Sequence, residues 1–184
     1  MRRRLRIIGG MGLLCGIFFG IQAAATTITL NASYSADHWG YFRLPADIWP
    51  WPAQRGDWVQ FTPPVEARWP YVKQIHGLPG DMVHVRDDRM VLVNGKSVGV
   101  AKTHDLTGRP VEAIAPGAVP ADHLFVTAPH RDSHDSRYAE IGFIPFEAVM
   151  ARVWPLPDIP ALGLDGPLLF PDPANENTKK GDTP

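Results

Sequence analysis

Two serines two residues apart, Ser33 and Ser35, follow a long apolar segment, and a lysine, Lys73, sits within the run Tyr71-Val72-Lys73-Gln74-Ile75. Together these residue types can do one kind of chemistry. Burial among apolar neighbours disfavours a lysine's charged form and lowers its pKa. A neutral amine can then take the proton of a serine hydroxyl and make it a nucleophile toward a carbonyl, as in serine–lysine hydrolases. Each residue also has a plainer reading. Most serines are surface hydroxyls, and a lysine at a strand edge snorkels its ammonium to water. On the lysine segment alone the plainer reading is the stronger. A second cluster, His130, Asp132, His134 and Asp135, carries metal-ligand types, but on an extended loop these need not converge on one ion.

The elements that would hold these residues read as strands. Runs at 58–61, 71–76, 82–85, 90–93, 123–128 and 149–154 are short, apolar and bounded by turn residues. Asn94-Gly95 behind Val91-Leu92-Val93 is a tight-hairpin signal, because a primed turn needs positive φ, and Pro79-Gly80 marks a further turn. No long stretch carries a 3.6-residue apolar period. With 19 prolines and 17 glycines in 184 residues, the pattern predicts a mainly β domain over residues 26–157. Residues 96–122 are more weakly patterned and read as an insertion or peripheral ribbon. Residues 158–184, Pro-rich and then polar, read as a surface-hugging or disordered C-terminal tail.

Residues 7–25 are an uncharged, mostly apolar run of 19, enough for one helix to cross a hydrocarbon core of roughly 30 Å. Arg2, Arg3, Arg4 and Arg6 precede it, so residues 1–6 should form a cytoplasmic basic tail and the remainder should lie outside the cytoplasm. Ala23-Ala24-Ala25 also fits a cleaved secretory signal; the length of the run favours an uncleaved anchor. Gly12, Gly16 and Gly20 fall on one face of that helix, where a second membrane helix could approach. All 19 Asp and Glu lie beyond the anchor, which speaks against a nucleic-acid binder. The single cysteine, Cys15, permits no intrachain disulfide.

Four segments, in order and spacing, resemble the signal peptidase I family. They are Asn31-Ala32-Ser33-Tyr34-Ser35; Gly56-Asp57-Trp58-Val59-Gln60-Phe61; Lys73 to Asp81, ending Gly77-Leu78-Pro79-Gly80-Asp81; and Ser133-His134-Asp135-Ser136-Arg137-Tyr138. The resemblance covers residues 31–154. It implies a signal-peptidase-like coiled β-sheet catalytic domain on a single N-terminal transmembrane helix. By the same resemblance Ser35 is the nucleophile and Lys73 the general base. Ser33 and the Ser35 N–H form the oxyanion site, and Ser133 orients the lysine amine. Asp135 and Arg137 form a buried supporting ion pair. No metal or organic cofactor is implied.

The substrate would be a precursor polypeptide, bound extended and cut after small residues, with the catalytic domain periplasmic on a bacterial inner membrane. Asn31, Ser33, Ser35 and Gly40-Tyr41 further resemble the TraF-type peptidases of conjugative transfer, which mature pilins and in some cases cyclise them. The chain departs from the family pattern at Ala36, Asp37, Gln74 and residues 128–131. Those departures motivate the alternative of an inactive structural component of a transfer machine. Trp39, Trp49, Trp51 and Trp69 lie near the first segments. Trp39, Trp49 and Trp51 read either as headgroup contacts with the bilayer or as core packing.

Overall fold

A computed structural model describes residues 27–31, 33, 35–47 and 52–168. The anchor at 7–25 with Gly12, Gly16 and Gly20, the tryptophans at 49 and 51, and the tail beyond 168 lie outside the described residues. Among the described residues no helix is long and apolar enough to cross a membrane.

The described residues form eleven strands, all paired antiparallel: β1 (Ile28–Leu30), β2 (Gly40–Pro45), β3 (Trp58–Phe61), β4 (Tyr71–Gly77), β5 (Met82–Val85), β6 (Met90–Val93), β7 (Lys96–Val100), β8 (Gly117–Ala118), β9 (His123–Thr127), β10 (Ile144–Pro145) and β11 (Val149–Pro155). Seven form one sheet in the order β1-β2-β11-β3-β4-β9-β10, and four form a second in the order β7-β6-β5-β8. The architecture is mainly β. The six runs read from the sequence are all strands, with β4, β9 and β11 shifted by one residue at an end. Asn94 and Gly95 both have positive φ, at 47° and 78°, as a tight β6–β7 turn requires. Residues 96–122 supply β7, β8 and an isolated His104–Pro110 bridge. Residues 156–168 continue beyond β11 past the neighbouring ends of β2 and β1: the Leu156 N–H donates to the Gly40 carbonyl and the Leu168 N–H to the Asn31 carbonyl.

Three apolar clusters hold the sheets. One lies on the second sheet and takes in Phe125 and Tyr138; one joins Val59, Phe61, Ile75, Leu124 and Val126; the third joins Ala36, Tyr41, Ala151 and Val153, with Trp58 and Val72 packed against it. Strand β4 is central to all that follows. Its period of two buries Lys73, Ile75 and Gly77 on one face and leaves Val72, Gln74 and His76 partly exposed on the other. Gly77 is required by space: a Cβ there would stand 2.8 Å from Phe125 Cβ and 3.3 Å from Val119 Cγ2. Gly77→Ala should therefore force β4 and β9 apart and cost about 1–3 kcal/mol in urea unfolding.

Candidate active site

Lys73 lies in a central strand opposite Val59 of β3 and is 4% exposed. Its Nζ donates to Ser133 Oγ at 2.7 Å and stands 5.4 Å from the centre of the Tyr71 ring. Burial pulls its pKa down from 10.5 to about 8; Asp135 nearby opposes that shift and Arg137 adds to it. Burial thus brings the loss of the lysine's proton down toward the physiological range.

Ser133 is fixed from below. Arg137 and Asp135, both buried, form a two-pronged ion pair: Nε donates to Oδ1 and Nη2 to Oδ2, each at 2.8 Å. The same guanidinium donates to the Ser133 carbonyl at 3.1 Å and the His130 carbonyl at 3.2 Å. Asp135 also accepts from the Ala128 N–H, and the Ser136 N–H donates to the Val126 carbonyl, tying the loop to β9. Gly99 has φ of 116°, and a Cβ there would meet Arg137 Nη1 at 2.8 Å. A glycine in β7 thus lets the guanidinium lie against the second sheet.

Ser33 and Ser35 share a hydrogen bond between their hydroxyls at 2.8 Å. Their loop is organised by Asn31, quoted above only as part of a motif. Its Oδ1 accepts from the Ser33 N–H, and its Nδ2 donates to the carbonyls of Ala36 and His38. An asparagine two residues ahead of a serine is an Asx-turn signal, which could have found this role. Ala36, in the third apolar cluster with Val72, brings the loop to the partly exposed face of β4. The structure therefore forms two hydrogen-bonded pairs, Ser33–Ser35 and Lys73–Ser133. No hydrogen bond joins Ser35 to Lys73. Asp37 is exposed, and the Gln74 side chain donates to the Gly56 carbonyl at 3.0 Å.

The His/Asp cluster does not converge. Asp132 pairs with Lys102, His134 Nε2 donates to Glu140 at 2.7 Å, and Asp135 pairs with Arg137. Among the described residues no group of three or more ligand types could hold a metal ion.

A family model described as signal peptidase, peptidase S26, matches residues 20–155. The chain belongs to this family. A signal peptidase I of Pseudomonas fluorescens is 30% identical over 146 residues, spanning 58% of this chain and 51% of its own. The conjugal transfer protein TraF of Agrobacterium fabrum (strain C58) is 28% identical over 141 residues, spanning 66% of this chain and 72% of its own. A crystal structure of a signal peptidase I from Enterococcus faecalis V583 aligns with 55% of this chain and 97% of its own, at 25% identity and a TM-score of 0.38. The chain spans about half the length of the signal peptidases I it matches.

Within this signal peptidase scaffold the buried lysine carries a cost that can be measured. It loses its proton at about pH 8 folded and 10.5 unfolded, so the full penalty acts below pH 8 and none remains above 10.5. Lys73→Met should stabilise the chain by about 2 kcal/mol at pH 7, after allowing for the lost Ser133 bond. That gain should fade as pH approaches 10.5, as thermal unfolding across pH will show. Arg137→Ala, which strands the Asp135 carboxylate, should instead cost about 3–5 kcal/mol.

Proposed function

We propose that this chain is a membrane-anchored serine endopeptidase that removes signal or pro-peptides from exported precursors, with Ser35 as nucleophile and Lys73 as general base. The observation that carries this reading is the buried Lys73 ammonium, with a pKa near 8, held on Ser133. Neutral Nζ takes the Ser35 hydroxyl proton, and Oγ bonds to the scissile carbonyl carbon. The Ser35 N–H and the Ser33 hydroxyl receive the negative charge that develops on the carbonyl oxygen. The tetrahedral species collapses, Lys73 gives its proton to the leaving amine, and an acyl-enzyme remains on Ser35. Water, deprotonated by Lys73, or a peptide amine then resolves it. Hydrolysis gives a trimmed chain and an amine gives a ring.

Since Ser35 Oγ rests on Ser33, the loop at 33–38 has to carry it to Nζ when substrate binds. The substrate has an edge to pair with. Strand β9 leaves β4 at Gln74, so Tyr71, Val72 and Lys73 have no strand partner on that side among the described residues. An extended segment can add there. The anchor at 7–25 would hold the site at the periplasmic face of a bacterial inner membrane, with the tryptophans at 39, 49 and 51 near the headgroups. The likeness to a conjugal transfer protein makes a pro-pilin the first substrate to try. The missing Ser35–Lys73 hydrogen bond is the observation that favours the second reading, an inactive structural component.

Mass spectrometry of a co-expressed precursor separates the two. Cleavage by the wild type, lost in both Ser35→Ala and Lys73→Ala, is the expected outcome, and a product one water lighter than the linear chain would add cyclisation. Processing that survives either substitution, or a wild type that cuts nothing, supports the structural role. The rate should climb roughly five-fold between pH 7 and 8, as the neutral fraction of a base with pKa near 8 rises from a tenth to a half. A rate flat over that range would exclude Lys73 as the base.

A further inference from the structure

Two neighbouring clefts, of about 770 and 430 Å³, meet at Val100, Lys102 and Arg131 and are taken together as one groove. It starts at Gln74 and His76 on the partly exposed face of β4, passes the outer edge of β7, and ends at Thr103 and His104. Val72, on the same face of β4, packs in the cluster that contains Ala36. The groove therefore opens on the same face of β4 that the Ser35 loop approaches, further along the strand. Among the described residues β7 pairs with β6 alone in its sheet, so the groove has an open strand edge along part of its length.

The charge in the groove is one-sided. The larger cleft has no acidic residue in its lining. Lys102 and Arg137 are matched by Asp132 and Asp135. Arg89 is not: its guanidinium donates to the carbonyls of Ala101, Lys102 and Val111, and no carboxylate pairs with it among the described residues. Arg131 is 81% exposed, and its nearest carboxylate, Asp132, is 3.9 Å away and already paired with Lys102. Asp88, in the smaller cleft, is paired with Arg86 at 2.9 Å. Two arginines thus remain as excess positive charge. Burial holds the His76 imidazole below its ordinary pKa, so at neutral pH it offers a hydrogen bond and no charge.

We propose that this groove binds the polar segment of the precursor that follows the cut, in extended form and carrying Asp or Glu side chains. This rests on the peptidase reading above. An open strand edge supplies backbone partners to an extended chain whatever its sequence, and Arg89 and Arg131 select for carboxylates. Residues before the cut belong at the free edge of β4 beside Lys73, so the groove is left to the leaving-amine side.

The test uses the full chain in detergent and two precursors identical up to the cut, one with Asp and Glu after it and one with Asn and Gln. Fluorescence anisotropy with the corresponding downstream peptides on the Ser35→Ala chain reads binding without cleavage. The acidic peptide should bind roughly five-fold more tightly at low salt, and high salt should erase the preference. Arg131→Glu and, independently, Ser97→Glu on the groove wall should abolish it. In turnover, Arg131→Glu should raise KM roughly five-fold for the acidic precursor only, with kcat unchanged. Equal binding of the two peptides, equal effects on both precursors, or tighter capture of anionic vesicles than of the acidic peptide would overturn the proposal. Selective binding by a chain that cleaves neither precursor would keep the acidic-peptide groove and sink the peptidase reading.

Discussion

Lys73 sits in the middle of a seven-stranded sheet, 4% exposed, with one hydrogen-bond acceptor, Ser133 Oγ, in reach of its amine. An ammonium in that position is costly unless it is satisfied or neutral. Much of the surrounding structure meets that constraint. The loop after β9 brings Ser133 to the amine, the Asp135–Arg137 pair fixes the loop, and Arg137 reaches through it to hold the Ser133 carbonyl. The pair also adjusts the lysine electrostatically, since Asp135 favours the charged form and Arg137 opposes it. Burial is the largest of the three influences and sets the direction of the shift.

The second sheet contributes to this site although it holds none of the residues proposed for catalysis. Gly99 in β7 admits the Arg137 side chain, and Val100 accepts from it at 3.4 Å. Nearby, Arg109 grips Glu140 with both nitrogens, and Glu140 in turn bonds His134, next to Ser133. Substitutions in residues 96–112 can therefore reach Lys73 through two chains of contacts, although none of those residues bonds to it. The same arrangement borders the groove between β4 and β7, so support of the proposed base and the proposed recognition of the precursor share one wall.

Much of the sheet was legible because alternation and turn chemistry are local. Strands β3, β5 and β6 follow from their apolar runs, and Asn94-Gly95 marks the β6–β7 turn. Strand β2 escaped notice because Arg43 and Pro45 interrupt an apolar reading of Gly40–Pro45; it gains its place from pairing with β11, more than a hundred residues away. Strands β7 and β8 are too short or too irregular to show a period, β7 because of its bulge near Gly99. In the site, the apolar flanks of Lys73 hinted at burial, but only the register of β4 decides which face it takes. The contact between Lys73 and Ser133 joins segments 60 residues apart, and resemblance rather than local pattern pointed to it. The role of Asn31 was within reach of turn chemistry. The groove was not, since it exists only where β4, β7 and residues 127–131 meet.

The central claim is that the fold holds Lys73 ready to be neutral near physiological pH. The most direct measurement is an NMR titration of the Lys73 side chain, with specifically labelled lysine and the assignment made by its loss in Lys73→Met. The account predicts a midpoint near pH 8, well apart from the other lysines. A midpoint at or above 10 would mean an ordinary solvated ammonium, and would contradict both the burial described here and the base proposed from it.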